Sequence, residues 1–228
     1  MGLTYNPYRY LFMETPALPP MPAPLTYVVA EGGVFLWAKR VGLEALVPVQ
    51  PCTMRGLHPV QPFVILDGPP RVTTALLQTM LVQGRQAQQE DGIPVEMLFY
   101  LSPQAPDWEL WIPPQRQFPA RVEPIKEWLD LSAYASVVLE IHTHPPNMQA
   151  FFSHIDDADE QQGFRLYGVI GCMKSTQGNI EAEIRMRVGI YGVFYEFPAE
   201  RVLDLPEGLR ECVPQDAEAH HQEDERWE

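Results

Sequence analysis

From Val137 to Asp157 the chain reads VVLEIHTHPPNMQAFFSHIDD, and no other stretch leaves so little freedom in what the chain can fold into. Its β-branched and aliphatic start makes a strand, Pro145-Pro146 ends it, and Ser153 stands where a helix N-cap is expected, one turn before Asp156. Side chains two apart on a strand share a face, so His142 and His144 aim their imidazoles to one side while Thr143 turns to the other. A helix starting at Ser153 brings the Asp156 carboxylate toward the same point. Two imidazoles and a carboxylate suit a zinc ion whose fourth position is left to water, the pattern of a catalytic rather than a structural site. His-x-His pairs also arise by chance on half-exposed strands; the Pro, Ser and Asp that follow lift this one above that plainer reading.

At 228 residues the chain suits one main domain with an extension, long enough to bury a sizeable core. Cys52, Cys172 and Cys212 are scattered with no C-x-x-C, which fits a reducing compartment and excludes a cysteine-based zinc site. Cys172, within LYGVIGCM, reads as a buried strand residue. No apolar stretch approaches a membrane span and no basic-then-apolar leader opens the chain, so a soluble cytoplasmic protein with no membrane partner is expected. A formal charge of −14 is repelled by phosphate backbones, which argues against a nucleic-acid partner and favours a basic partner protein.

Residues 1–70 hold half of the 24 prolines, yet YVVAEGGVFLWAKR reads as a β-hairpin about Glu31-Gly33 and GLEALVPV continues it. Tyr27, Phe35 and Trp37 need a surface to bury against, so these residues form a small Pro-rich, β-containing module packed on the main domain, or else an arm that orders on a partner. Val72, Leu76, Leu77, Met80 and Leu81 lie on one face of a helix running to about Gln89. EMLFYLS and the alternating PDWELWIP are strands, IKEWLDL is a short helix, and the histidine strand follows. After a polar helix at DADEQQG, LYGVIGCM and IEAEIRMRVGIYGVFYEF complete a mixed β-sheet flanked by helices, an α/β fold. From Pro206 to Glu228 the chain is acidic and poor in apolar residues, and a disordered tail is expected; His220 and His221 there read as a solvated patch.

His142-Thr143-His144-Pro145 followed by Ser153-x-x-Asp156 resembles the JAMM signature of the JAB/MPN/Mov34 family, the zinc isopeptidases of deubiquitinase type. That family also carries a glutamate on the strand after its first long helix, and Glu96 in GIPVEMLFYL is similar to it. The resemblance covers about residues 70–200 and implies a JAB/MPN domain over 71–205. One departure is that eleven residues separate His144 from Asp156, one more than is usual in the family. The extra residue falls before Ser153, which assigns Asp156 and keeps Asp157 in reserve. The Pro-rich module ahead of the domain, with HTHPP…AFFS, resembles the PRTRC system protein A-like members of the family, which are encoded with ThiF-type (E1-like) and ubiquitin-like components.

The resemblance implies that His142, His144 and Asp156 hold one Zn²⁺, which acidifies a bound water, and that Glu96 takes the water's proton and returns it to the departing amine. Ser153 would hydrogen-bond the oxyanion, or serve only as a helix cap. Glu140, two before His142 on the strand, is a rival base, and His154 reads as a surface residue. The substrate expected is a ubiquitin-like protein ending in a slim Gly-Gly tail, held in extended form along PPNMQAFF with Met148, Phe151 and Phe152 as apolar contacts. A non-catalytic MPN scaffold is the alternative. Deaminase and gluzincin signatures are absent from the sequence, and a DNA-partition accessory role is opposed by the charge.

Overall fold

A computed structural model describes residues 8–13, 18, 24–88, 94–176 and 179–212. The fold is mixed α/β, built mostly of strands. In the N-terminal part β1 (Tyr8–Tyr10), β2 (Leu25–Ala30), β3 (Gly33–Arg40), β4 (Leu43–Pro51) and β5 (Phe63–Ile65) form a five-stranded sheet in that order. The expected hairpin is present: β2 and β3 pair antiparallel from Leu25↔Ala38 to Ala30↔Gly33, closed by Glu31-Gly32.

Period-two alternation sends β3 and β4 side chains to two destinations. Phe35, Trp37 and Leu46 join Val28, Ala30 and Leu11 in a small core of their own. Leu36, Ala38, Leu43, Ala45 and Val47 enter the main core instead, beside Leu101, Trp108, Val138 and Leu139. The sheet therefore docks through small aliphatic side chains, while Phe35 and Trp37 are buried within the N-terminal part. Arg40 adds hydrogen bonds across the junction, Nη1 donating to Phe164 O at 3.0 Å and Nη2 to Ala135 O at 2.7 Å.

Helix α1 (Thr74–Ala87) begins two residues after Val72, because Thr73 is its N-cap and Val72 bridges to Leu203 instead. It buries Leu77, Met80, Leu81 and Gly84. β6 (Leu98–Gln104) and β7 (Asp107–Trp111) follow, then a separate hairpin of β8 (Gln115–Phe118) and β9 (Arg121–Pro124). The helix expected at IKEWLDL divides into a 3₁₀ turn, Lys126–Trp128, and α2 (Leu131–Ser136). Asp130 caps α2 by accepting from the Ser132 and Ala133 N–H groups. Then come β10 (Leu139–Thr143), α3 (His154–Asp159), β11 (Phe164–Thr176), β12 (Asn179–Ile190), β13 (Val193–Glu196) and β14 (Leu209–Glu211).

The larger sheet runs β13-β12-β11-β10-β6-β7, with β14 added to β12. β10 pairs parallel with β11 and antiparallel with β6, so the chain must cross over between β10 and β11, and α3 lies in that crossover. One face of β10 carries Leu139, Ile141 and Thr143 against α1; the approach is so close that a Cβ on Gly84 would stand 2.9 Å from Thr143 Cγ2. The opposite face carries Glu140 and His142, partly roofed by α2 and β9 through Tyr100, Val137, Tyr134 and Val122. Where a tail from 206 was expected, residues 209–211 form β14: Leu209 is buried and its strand pairs with Ala182–Ile184. The rest of the tail, with His220 and His221, lies outside the described residues. Among the described residues no helix is long and apolar enough to cross a membrane.

Candidate metal centre

His142 stands one residue before the end of β10, opposite Leu98 of β6 and Val169 of β11, and His144 follows just beyond the strand, held by its N–H to Ile170 O at 2.7 Å. Both imidazoles are buried. Their Nε2 atoms face each other at 3.3 Å. His144 Nδ1 donates to Gln149 O at 2.8 Å, which leaves its Nε2 as a lone pair. Burial pushes both imidazoles below the usual histidine range, keeping them neutral at pH 7. Two neutral nitrogens directed at each other call for a cation or a proton between them.

Asp156 comes in from α3. Its Oδ2 accepts from Ser153 N at 2.6 Å and Ser153 Oγ at 2.7 Å, while Ser153 Oγ accepts from Asp156 N at 3.3 Å, a reciprocal capping box. That leaves Oδ1 free, 3.6 Å from His142 Nε2. Donor atoms bonded to one tetrahedral zinc at about 2.0–2.1 Å stand roughly 3.3 Å apart, which the His142–His144 and His142–Asp156 spacings approach one pair at a time; the set whose donors all lie within 4.8 Å of one another is His142, Asp156 and Glu160, and His144 stands outside it. Ser153 is thus engaged as cap and as orienter of the carboxylate. Asp157, the residue held in reserve, is turned away to Arg187 Nη1 at 2.6 Å.

Glu96 lies just ahead of β6. The backbone bond from Thr143 N to Met97 O carries the antiparallel approach one step beyond Leu98↔His142, so Glu96 enters from the same end of the sheet as His144. Backbone bonds anchor it to the β8–β9 hairpin, its N–H to Phe118 O and its carbonyl to Gln117 Nε2. Glu96 is 5 % exposed, and burial, followed by the charge of Asp156, raises its carboxyl from 4.5 to about 7. A buried carboxyl of that kind, within reach of the Asp156 charge, can take and return a proton near neutrality.

Glu140, the rival base, is committed elsewhere. Its Oε1 lies 2.6 Å from Arg165 Nη1, and the guanidinium stacks 3.8 Å over Tyr134. His154 is exposed at the start of α3. The PPNMQAFF loop is pressed onto β11 rather than offered freely as an edge: Met148 O accepts from Cys172 N, and a Cβ on Gly171 would come within 2.6 Å of Met148 O. Phe152 packs 4.0 Å under Arg187, and Phe151, 38 % exposed, meets His144 edge-on. Cys172 is half-buried at a bulge with φ +53°, not a regular strand residue as its apolar surroundings suggest.

No family model and no curated protein matches the chain. The site therefore stands on its own geometry, and that geometry includes residues the sequence pattern did not mark. Gln88 Nε2 donates to His144 O at 2.7 Å, Gln149 sets the His144 tautomer, and Gly171 seats the loop that carries Gln149. Glu160, one turn after Asp156, puts a carboxylate oxygen within 4.8 Å of the His142 and Asp156 donor atoms. The i, i+4 spacing of Asp156 and Glu160 was the available signal.

Proposed function

We propose that this chain is a zinc-dependent amide hydrolase with a JAB/MPN (JAMM) domain, cutting after the C-terminus of a ubiquitin-like protein. The observation that carries the reading is that His142 Nε2 stands 3.3 Å from His144 Nε2 and 3.6 Å from Asp156 Oδ1, with Glu96, a buried carboxyl raised to about 7, under the influence of the Asp156 charge. A zinc ion bound there supplies Lewis acidity, lowering the pKa of water and polarising the carbonyl. The protein's residues do the rest. His144 is held in its ligating tautomer by Gln149, and Asp156 is aimed by Ser153. Glu96 accepts a proton from the attacking water and delivers it to the leaving amine. Ser153 Oγ, by turning its proton from Asp156, can donate to the oxygen that becomes negative. Phe151, beside His144 and partly exposed, offers apolar contact to a peptide entering in extended form.

Metal analysis together with cleavage tests this. Purified protein should carry about one zinc per chain, lost in His142→Ala and Asp156→Ala and kept in Glu96→Gln. A ubiquitin-like fusion should be cut immediately after its terminal glycine by the unaltered protein and not by Glu96→Gln. Finding no zinc in the unaltered protein would favour the non-catalytic scaffold, while equal turnover of a substrate with a bulky terminal residue would point to a general metallopeptidase.

A further inference from the structure

Arg187 projects from β12 on the face that carries His142, and its side chain is 4 % exposed. Phe152 and Phe194 sandwich the guanidinium, each at 4.0 Å. Its Nη1 lies 2.6 Å from Asp157, and Nε and Nη2 lie 2.8 and 2.6 Å from Glu160 Oε2. These partners bracket the Ser153–Asp156 turn: Phe152 precedes it, Asp157 follows it, and Glu160 stands one helical turn on. Asp156 and Glu160 share a face of the helix, and each puts a carboxylate oxygen within 4.8 Å of a His142 ring nitrogen.

We infer that Arg187 is a positioning residue that decides which carboxylate serves the metal, by gripping Glu160 through Oε2 and Asp157 through Oδ1 so that, of the three, Asp156 has no guanidinium partner competing with the ion. This rests on the reading of the centre as a metal site. The two gripped carboxylates differ in what they can do once released. Asp157 is 50 % exposed and turns to water. Glu160 is 10 % exposed and has no solvent to turn to, so an adjacent divalent cation is its nearest compensation. Its entry into the donor set takes the position that water needs, holding the ion more firmly and stopping the hydrolysis. Arg187 therefore separates a catalytic centre from a closed structural one.

The test measures Zn²⁺ and Co²⁺ affinity, the Co²⁺ absorption spectrum and cleavage of a ubiquitin-like fusion in the full chain, in Arg187→Met and in Arg187→Met/Glu160→Gln. Arg187→Met keeps an apolar stem between the two rings. It should bind metal about tenfold or more tighter, show a changed Co²⁺ spectrum and lose about 100-fold in turnover. The double variant should return to the original affinity and spectrum and recover most of the turnover. Should Arg187→Met not fold, Arg187→Lys is read in its place, since its ammonium lacks the fork that grips both carboxylates, and the same changes are expected in smaller measure. Metal loss in the Arg187 variant, or a double variant no better than the single one, overturns the inference and leaves the metal centre standing. Unaltered protein that binds neither ion overturns both.

Discussion

Glu96 ties burial to pH in two measurable ways. Its folded carboxyl protonates at about 7 rather than 4.5, because it is removed from water and lies near Asp156. In the proposed role of base it must be ionised, so kcat/KM should rise with pH as Glu96 loses its proton and then flatten, with a bound divalent cation drawing that limb below 7. Folding runs the other way. The folded state holds the proton more tightly, so the stability that the protonated group contributes is complete below about 4.5 and lost as pH rises through 7. In metal-free protein Glu96→Gln should therefore match the original near pH 4 and be more stable at pH 8, by up to about 3 kcal/mol. Chemical denaturation at the two pH values checks this; equal stability at both would mean that Glu96 is solvated. At the same scale, the nearness of His142 and Asp156 was legible because strand period and helix capping are local rules, whereas Glu160, which shares their donor group, was not marked. That Asp156 rather than Asp157 faces His142 was not decided locally, since Arg187, which takes Asp157, lies 30 residues on.

The elements around the site hold one another by close backbone approach as much as by side chains. β11 breaks register between Gly171 and Lys174, and there the loop after β10 lies directly on the strand. An added methyl at Gly171 would collide with the backbone of Met148, Gln149 and Ala150, atoms that cannot swing aside. Gly171→Ala should cost about 1–3 kcal/mol by overpacking and displace the loop. Because Gln149 O fixes the His144 tautomer, metal affinity should fall as well. Calorimetry and metal titration separate the two effects; unchanged affinity in a destabilised protein would mean that the loop does not steer His144. The strand-helix-strand order was readable from apolar period, whereas the bulge at Cys172 was not, because an apolar run looks the same whether or not it slips register.

Across the whole molecule the two sheets share a core. Leu36, Leu43 and Val47 lie in one buried cluster with Leu101, Val138 and Leu139. The β3–β4 turn sits so close that a Cβ on Gly42 would be 2.8 Å from Pro103 Cγ. The full chain should thus unfold in one calorimetric transition, and a fragment beginning at Arg71 should lose cooperative melting, since it exposes that cluster to water. Two well-separated transitions in the full chain would show independent domains. Neighbours a few positions apart encode the hairpin at Glu31-Gly32, the amphipathic face of α1 and the capped helix start that carries Asp156, so these can be read without the fold. Long-range packing settles which face of the N-terminal sheet docks, that residues 209–211 join β12, and that Arg165 and Arg187 take Glu140, Asp157 and Glu160, leaving Asp156 to face His142. Chemically alike groups are told apart by partners that lie far away along the chain, and those partners meet only when strand register brings them together.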